Sequence, residues 1–298
     1  MRKYFFIAIP GLLLLMSACS FNGKFLHPYK IPSQAKKIKV IDEKDKDTLF
    51  IRIGKGKHPV FTNIQNDTLE PGYQVESVFF EHPDKHNLHG WFMTPDSAWN
   101  GITILFFHGN AGNIFTQFTN IVPLVTQGFK VFLFDYSGFG FSEGKATREN
   151  VLQDAFSAIS YMQNRKDVNN GKLVIYGQSL GGHLALVAAS RNQDKIDGVV
   201  AEGAFSSHRE IAAERKGFAA KLLVAEKYNG LKAVKEYDGP VMIIHSTNDE
   251  VVPFSMGQKL YKNANEPKYF YPIDQCHMCG PLFYADSISH KIKQMLNH

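Results

Sequence analysis

The sequence of residues 172–189 is KLVIYGQSLGGHLALVAA, which joins an apolar run, a Gly-x-Ser-x-Gly pentapeptide and a second apolar run. The first run, Lys172–Tyr176, predicts a buried strand, and the second predicts a helix. A sharp turn from strand to helix exposes its serine, here Ser179, as a nucleophile. Gly177 and Gly181 favour such a turn because they carry no Cβ atoms that would clash there. A tight Gly-Ser turn without catalytic function is the weaker interpretation, since a strand and a helix flank the motif.

Strands and helices alternate on both sides of this motif. Short strands at Thr48–Ile53, Glu76–Glu81 and Leu88–Met93 are expected to be antiparallel at one edge of a sheet. The other predicted elements are strands at Ile102–Phe107, Lys130–Phe134, Ile196–Ala201, Val241–Ile244 and Lys268–Tyr271, and a helix at Thr147–Gln163. This alternation predicts an α/β fold with a mostly parallel, twisted sheet of about eight strands and helices on both faces. Active sites of such sheets lie at the carboxyl ends of the strands.

A loop of small residues, HGNAGN, occupies positions 108–113, directly after the strand predicted at 102–107. Small residues allow backbone N–H groups to approach a substrate oxygen closely. The N–H groups of Asn110 and Leu180 are therefore the predicted oxyanion hole.

Two later loops offer an acid and a base. Asp249 follows one predicted strand and His277 follows the last one. A free serine hydroxyl is a poor nucleophile, so His277 is predicted to take the proton of Ser179 as general base, with Asp249 fixing its tautomer. Glu202, at the end of another predicted strand, is the alternative acid.

Five motifs occur in the order HGNAGN, DYSGFGFSEG, GQSLGG, HSTNDEVVP and a terminal histidine. Over about residues 75–295 they resemble the α/β-hydrolase superfamily, in particular its short-lid serine esterases and acyl-thioesterases. The resemblance implies cleavage of esters or thioesters of small or acyl substrates through an acyl-enzyme on Ser179, without metal or organic cofactor. Two positions depart from the family: Ser137 stands where Arg is frequent, and Ser246 where Gly is usual.

Two other functions stay open at this point. A serine peptidase or amidase of the same fold usually needs a larger cap or an added propeller, for which this chain is too short. A catalytically inactive envelope lipoprotein is the other alternative, and the complete set of Ser179, Asp249 and His277 argues against it.

Residues 205–238 are the predicted lid, with room for one or two amphipathic helices. Phe106, Phe107, Phe139 and Phe141 are expected to flank the site. Apolar pockets favour an acyl chain or a small aliphatic ester over a sugar or a charged peptide. The alternative is that these phenylalanines belong to the core.

The first 18 residues predict an export signal. Its apolar region, Tyr4–Met16, has 13 residues, fewer than the roughly 18–20 that cross a bilayer. The sequence MSAC at 16–19 resembles a bacterial lipobox, which implies cleavage before Cys19 and acylation of its thiol. Ser20 then favours the outer membrane, with the protein facing the periplasm. An ordinary secretory signal with an incidental cysteine is the alternative.

Composition fits one enzyme domain on a tether. Residues 19–47 are polar and predict a spacer, which leaves 48–298 for the hydrolase domain. The net charge of +5 falls to +3 without Arg2 and Lys3, which is too small to suggest nucleic-acid binding. The expected partners are an acyl or small-molecule substrate and, through the lipid anchor, a membrane.

With Cys19 acylated, Cys276 and Cys279 remain as a Cys-x-x-Cys pair around His277. Disulfides persist in exported proteins, so the pair predicts a disulfide that frames the base. A thioredoxin-like site, a zinc site and two unpaired thiols are the alternatives. Other histidines are expected to pack or to orient loops, with a solvated hairpin favoured over a metal site for the cluster His82, His86 and His89.

Overall fold

The computed structural model describes residues 25–41, 44 and 47–297; the predicted signal peptide and Cys19 lie outside them. Its strands are β1 (His27–Pro28), β2 (Lys37–Ile41), β3 (Thr48–Ile53), β4 (Pro59–Thr62), β5 (Tyr73–Glu81), β6 (Asn87–Pro95), β7 (Ile102–Phe107), β8 (Ala111–Gly112), β9 (Lys130–Phe134), β10 (Lys172–Gln178), β11 (Gly198–Glu202), β12 (Val241–Ser246) and β13 (Lys268–Ile273). The α-helices are Ile114–Gln117, Val122–Val125, Arg148–Gln163, Leu180–Ser190, His208–Lys216, Phe218–Leu223, Gly230–Glu236, Phe254–Asn263 and Gly280–Met295. Short 3-10 turns lie at Lys55–Lys57, Phe118–Asn120 and Gln193–Lys195.

Eight of these strands form one sheet in the order β13-β12-β11-β10-β7-β9-β6-β5. The six strands from β13 to β9 are parallel, β6 is antiparallel to β9, and β5 is antiparallel to β6. The prediction of a mostly parallel sheet of about eight strands is therefore confirmed.

The central strands are buried on both faces. Along β7, Leu105 packs into one core cluster and Phe106 into the other, because successive side chains of a strand point to opposite faces. The helices Arg148–Gln163 and Leu180–Ser190 contribute to the first cluster, and Gly280–Met295 contributes to the second. Helices thus cover both faces, which explains the continuous apolar runs of these strands.

The parallel strands bring the predicted site residues to one edge of the sheet. Ser179 follows β10, Asn110 follows β7, Asp249 follows β12 and His277 follows β13. Because these four strands run in the same direction, their carboxyl ends meet at the same edge.

The strand predicted at 48–53 forms, but it does not join the edge of the large sheet. It is the middle strand of a separate antiparallel sheet, β2-β3-β4. Ile51 and Phe61 of this small sheet pack with Trp91 of the large sheet in one core cluster. The predicted edge arrangement is therefore wrong for this strand, because β2 and β4, which the sequence analysis did not identify, pair with it on both sides.

The predicted spacer is partly folded. Residues 25–41 lie against the rest of the fold, where β1 pairs with β8 and β2 pairs with β3. Leu26, Ile31 and Val40 are buried there. The average composition of residues 19–47 is polar, so it gave no sign of these three buried apolar residues. The prediction of a spacer is therefore wrong for residues 25–41.

The predicted lid, 205–238, contains the three helices His208–Lys216, Phe218–Leu223 and Gly230–Glu236, where one or two were expected. The first two pack against each other through Ala212, Ala220 and Val224. Among the described residues, no helix has both the length and the apolar character needed to span a bilayer.

Candidate active site

Ser179 lies at the turn between β10 and the helix Leu180–Ser190, with φ 55° and ψ −115°. A positive φ is unfavourable for a residue with a Cβ atom, so neighbouring structure must hold it. A Cβ atom on Gly177 would overlap the backbone of Gly181, and one on Gly181 would overlap the backbone of Phe107. Glycine is therefore required at both positions by the close approach of strand, helix and neighbouring strand.

Asp249 and His277 form a hydrogen-bonded pair. The Nδ1–H of His277 donates to Oδ2 of Asp249 over 2.6 Å, and the backbone N–H groups of Val251 and Val252 donate to Oδ1 over 2.8 and 2.7 Å. Burial raises the pKa of Asp249, but hydrogen bonds from His245 and His277 outweigh burial and hold that pKa well below its ordinary value. An ionised Asp249 fixes the proton of His277 on Nδ1. The Nε2 atom of His277 is then left as the proton acceptor.

Nε2 of His277 is buried and has no hydrogen-bond partner among the described residues. Two contacts bring the His277 ring close to Ser179. The backbone N–H of Ser179 donates to the carbonyl of Glu202 over 2.8 Å, and the His277 ring packs on the next residue, Gly203, where a Cβ atom would lie 2.9 Å from Cε1. The side chain of Gln178 also donates to the carbonyl of Met278 over 3.1 Å. The loop that carries His277, which we call the base loop, is thus held by Gln178 and by packing on Gly203. Both contacts lie beside the turn at Ser179, which we call the nucleophile turn.

Glu202, the alternative acid, accepts hydrogen bonds from other groups than His277. Its carboxylate accepts hydrogen bonds from the Tyr176 hydroxyl (2.7 Å), the Gln178 amide (2.8 Å) and the Gly280 backbone N–H (2.6 Å). Complete burial raises its pKa. Glu202 therefore ties β10 to the start of the last helix, whereas Asp249 contacts the imidazole. This role was missed, because no local motif marks a carboxylate that joins two loops.

The HGNAGN loop is fixed by side chains that follow it. Gln117 accepts from the backbone N–H of Gly109 over 3.0 Å and donates to the carbonyl of Ala111. The hydroxyl of Tyr136 donates to the carbonyl of His108 over 2.9 Å. Leu180 is the first residue of its helix, where backbone N–H groups lack a partner within the helix. Both predicted oxyanion donors therefore lie on backbone that the fold holds in place.

A segment before the domain crosses this loop. We call residues 25–31 the N-terminal strap. The side chain of Asn110 donates to the carbonyl of Phe25 over 2.9 Å and accepts from the backbone N–H of His27 over 3.2 Å. The backbone of Gly140 bonds to the strap on its other side, at Tyr29 and at Ile31. The strap therefore joins the oxyanion loop to the glycine-rich loop after β9. The sequence analysis placed these residues in a spacer and did not predict this contact.

The sulfur atoms of Cys276 and Cys279 are bonded in the structure, with Cα atoms 5.3 Å apart. The ring they close contains His277 and Met278, and Met278 has a positive φ of 65°. The sulfur of Met278 lies against Gly109 of the oxyanion loop, 3.0 Å from where a Cβ atom would stand. The cross-linked loop thus contacts the oxyanion loop as well as carrying the base.

Most of the phenylalanines that were expected to flank the site belong to the core instead. Phe106, Phe107 and Phe139 are fully buried within the two core clusters, and Phe141 packs at the border of the second. The expectation that they flank the site is wrong for the first three. Their strands and loop end at the site, but their side chains point into the packed layers on either side of the sheet.

The remaining histidines mostly pack. His183 donates from Nδ1 to the carbonyl of Phe205 and stacks on its ring, and burial lowers the pKa of His183 to about 3. The ligand atoms of His82, His86 and Asp154 lie within 4.8 Å of one another. However, the two imidazoles stack at 4.2 Å with planes 21° apart. A metal lies in the plane of each ligating ring, so these rings would have to turn before sharing an ion.

Sequence comparisons agree with this geometry. A family model described as alpha/beta hydrolase fold matches residues 102–228. The uncharacterized protein YfhR of Escherichia coli K12 is 37% identical over 201 residues, which cover 66% of this chain and 70% of YfhR. The chain belongs to the alpha/beta hydrolase family. This alpha/beta hydrolase is also 36% identical to YfhR of Salmonella typhi over 211 residues, with 65% of this chain and 71% of YfhR covered.

Solved structures share the fold at low sequence identity. The esterase Pf2001 of Pyrococcus furiosus superposes with a TM-score of 0.64 at 17% identity, covering 76% of this hydrolase and 92% of the esterase. Est1E of Butyrivibrio proteoclasticus, solved with ferulic acid bound, superposes with a TM-score of 0.62 at 17% identity, covering 74% and 100%. At this identity the likeness establishes the fold and leaves the chemistry to the residues of this chain.

Proposed function

We propose that this alpha/beta hydrolase is a serine hydrolase that cleaves carboxylic ester or thioester bonds of small or acyl substrates. Ser179 attacks the carbonyl carbon while Nε2 of His277 takes its proton. The N–H groups of Asn110 and Leu180 bind the oxygen that becomes negative. His277 then protonates the leaving group, and a water molecule, activated by the same base, releases the acyl group from Ser179.

The observation that carries this proposal is the link between the strained serine and the polarised histidine. The pair His277–Asp249 leaves an unprotonated, unpartnered Nε2, and residues 202–203 contact both Ser179 and His277. Histidines that pack, such as His183, also have a ring nitrogen without a partner among the described residues. His277 differs from His183 because it combines a 2.6 Å bond to Asp249 with contact to Gly203, next to the residue that binds the Ser179 backbone. The esterase Pf2001 shares this fold, so the fold is compatible with ester chemistry, while the residues of this chain carry the proposal.

Covalent labelling tests the nucleophile. The wild-type protein should react with a fluorophosphonate probe and hydrolyse short p-nitrophenyl esters, and Ser179→Ala should lose both with an unchanged circular dichroism spectrum. Ser190→Ala, at the other end of the same helix, is the matched control and should behave like wild type. Labelling that persists in a folded Ser179→Ala protein would exclude this nucleophile. A series of acyl-chain lengths, together with aminoacyl amides, then defines the substrate.

We also propose that the enzyme is anchored in the bacterial envelope through an acylated Cys19, in the outer membrane and facing the periplasm. The lipobox-like sequence at 16–19 supports this proposal. Multiple acyl chains on one residue give stable anchoring, which one chain does not. Cys19→Ser should leave the precursor unprocessed or release it to the soluble fraction in a membrane fractionation. Normal processing and unchanged fractionation of that variant would contradict lipidation.

A further inference from the structure

Two large apolar side chains of the lid face solvent. Phe218 is 72% exposed and Leu222 is 74% exposed. They are four residues apart in the helix Phe218–Leu223 and therefore lie on the same face of it. The opposite face is buried through Ala220, which packs on the first lid helix. We call Phe218 and Leu222 the lid patch. A single exposed apolar residue is ordinary, but a pair on one helix face marks a contact surface.

The chain around the lid patch is basic. Arg215 and Lys216 are exposed at the end of the preceding helix, separated from Phe218 by Gly217, and Lys221 lies within the helix of the lid patch. Glu214 is the one acidic residue between positions 214 and 222. An apolar helix face bordered by lysine and arginine fits the surface of an anionic bilayer, where apolar side chains enter the headgroup region and cations bind lipid phosphates.

The N-terminal strap begins on the same side. The Phe25 ring lies 4.9 Å from the ring of His208, the first residue of the first lid helix. The second lid helix returns to this point, because Nε of Arg209 donates to the carbonyl of Val224 over 3.0 Å. The strap therefore enters the described structure beside the end of the helix that carries the lid patch.

Chain length limits how far the membrane can be from this point. Five residues lie between Cys19 and Phe25, which makes six steps along the chain. At about 3.3–3.6 Å per step, the two residues are at most about 22 Å apart. With Cys19 acylated, the contact between strap and lid thus lies within that distance of the bilayer surface, and the lid patch is on the helix that ends beside this contact.

We propose that the lid patch docks on an anionic lipid bilayer and that the site below it hydrolyses acyl esters carried by that membrane. The substrate class rests on the serine hydrolase activity proposed above, and the docking rests on the proposed acylation of Cys19 but not on that activity. Docking would place the lid, and the oxyanion loop that the strap crosses, at the surface from which an acyl chain leaves the membrane. Soluble short-chain esters would reach Ser179 without this contact.

Insertion can be measured by fluorescence. The acylated protein is reconstituted in vesicles of phosphatidylethanolamine and phosphatidylglycerol in which part of the lipid carries brominated acyl chains. Phe218→Trp should show strong quenching beyond that of the native tryptophans. Phe79→Trp is the matched control: Phe79 is 47% exposed on the edge strand β5 and should show none. Equal quenching of the two variants would refute docking through the lid patch.

Activity measurements on membrane-borne and soluble esters distinguish a loss of docking from a loss of catalysis. Phe218→Ser/Leu222→Ser should lower hydrolysis of a long-chain ester embedded in those vesicles about tenfold, because burial of two such side chains is lost. Its kcat/KM on a soluble p-nitrophenyl ester should stay within about twofold of wild type. Leu69→Ser/Phe79→Ser is the control with two exposed apolar residues elsewhere. A wild-type protein inactive on both esters would refute the proposed function and leave the quenching result valid.

Three results would overturn the proposal. The lid variant could keep full activity on the vesicle-borne ester, or it could lose soluble-ester activity to the same extent. Alternatively, sedimentation velocity could show that wild type is a dimer that the lid substitutions dissociate, in which case the lid patch contacts a second copy. Insertion into vesicles of neutral phosphatidylcholine as strong as into anionic vesicles would refute the role of the basic residues.

Discussion

The nucleophile turn and the base loop meet at one site but are held by different means. Ser179 follows β10, which lies in the middle of the sheet between β7 and β11 and is buried from Leu173 to Gln178. His277 follows β13, which is the edge strand and is mostly half-buried. Close packing of the glycine backbones, together with hydrogen bonds to Glu202 on the neighbouring strand, holds the turn. The base loop instead depends on hydrogen bonds to Asp249 and Gln178 and on the cross-link between Cys276 and Cys279.

This difference shows where a catalytic side chain needs additional support. A central parallel strand is hydrogen-bonded to a neighbour on each side, so the loop after it starts from a backbone that is held in place. A loop after an edge strand has a neighbour on one side, and it must be fastened by specific contacts. Substitutions in the base loop should therefore lower the rate of catalysis more than they lower stability.

The largest expected effect lies at the contact that orients the base. Asp249→Asn should lower kcat for a short ester by about 10⁴, because an amide at this position favours the wrong tautomer of His277. The melting temperature should change little, since the amide oxygen can still accept from the backbone N–H groups of Val251 and Val252. Steady-state kinetics and a thermal melt measure both effects.

Glu202→Gln is the matched comparison for that variant. This substitution replaces one of the two acceptor oxygens by an NH₂ group, which donates. The carboxylate accepts from Tyr176, Gln178 and Gly280, so the NH₂ group would face another donor. We expect kcat to fall about tenfold, with a lower melting temperature, because a buried donor loses its acceptor. If Glu202→Gln is crippled and Asp249→Asn is near normal, Glu202 is the acid and the proposed assignment is wrong.

The disulfide is expected to have an intermediate effect. The chain-entropy model gives a four-residue ring only about 2 kcal/mol of stability, so its main effect should be on the geometry of His277. Cys276→Ser should lower kcat severalfold while the melting temperature falls by a few degrees. Cys279→Ser and mild reduction of wild type should give the same pattern. Mass spectrometry of the unreduced, alkylated protein provides the check: two carbamidomethyl groups on the 276–279 peptide would show that no bond forms.

The smallest expected effect comes from the N-terminal strap. Asn110→Ala keeps the backbone N–H that is proposed to bind the oxyanion and removes both side-chain hydrogen bonds to the strap. We expect kcat to fall about three- to fivefold with KM unchanged, because the loop loses its outer support. Asn66→Ala, which removes an exposed bond to Lys37, is the control and should be neutral. A change in KM alone would indicate that the strap shapes the substrate pocket instead.

Much of the fold was predictable because its signals are local. Continuous apolar runs gave β7, β9 and β12 within two residues of their observed bounds, since strands buried on both faces are mostly apolar. The edge elements were harder to predict. The strands β2 and β4 are short and mixed in composition, and each forms only because it pairs with β3. Although β2, β3 and β4 are neighbours along the chain, strands this short give no clear periodic signal on their own.

The sequence alone determined the strand-turn-helix around Ser179, the order of the strands along the chain and the acid and base loops that follow them. These follow from hydrophobic periodicity, from the glycines at 177 and 181 and from the shared direction of parallel strands. Only the tertiary structure decided that Asp249 rather than Glu202 contacts His277, that Phe106 and Phe107 belong to the core, and that residues 25–31 cross the oxyanion loop. Each of these depends on which side chains meet across the sheet, and a hydrogen bond between residues 85 positions apart is set by packing rather than by local sequence.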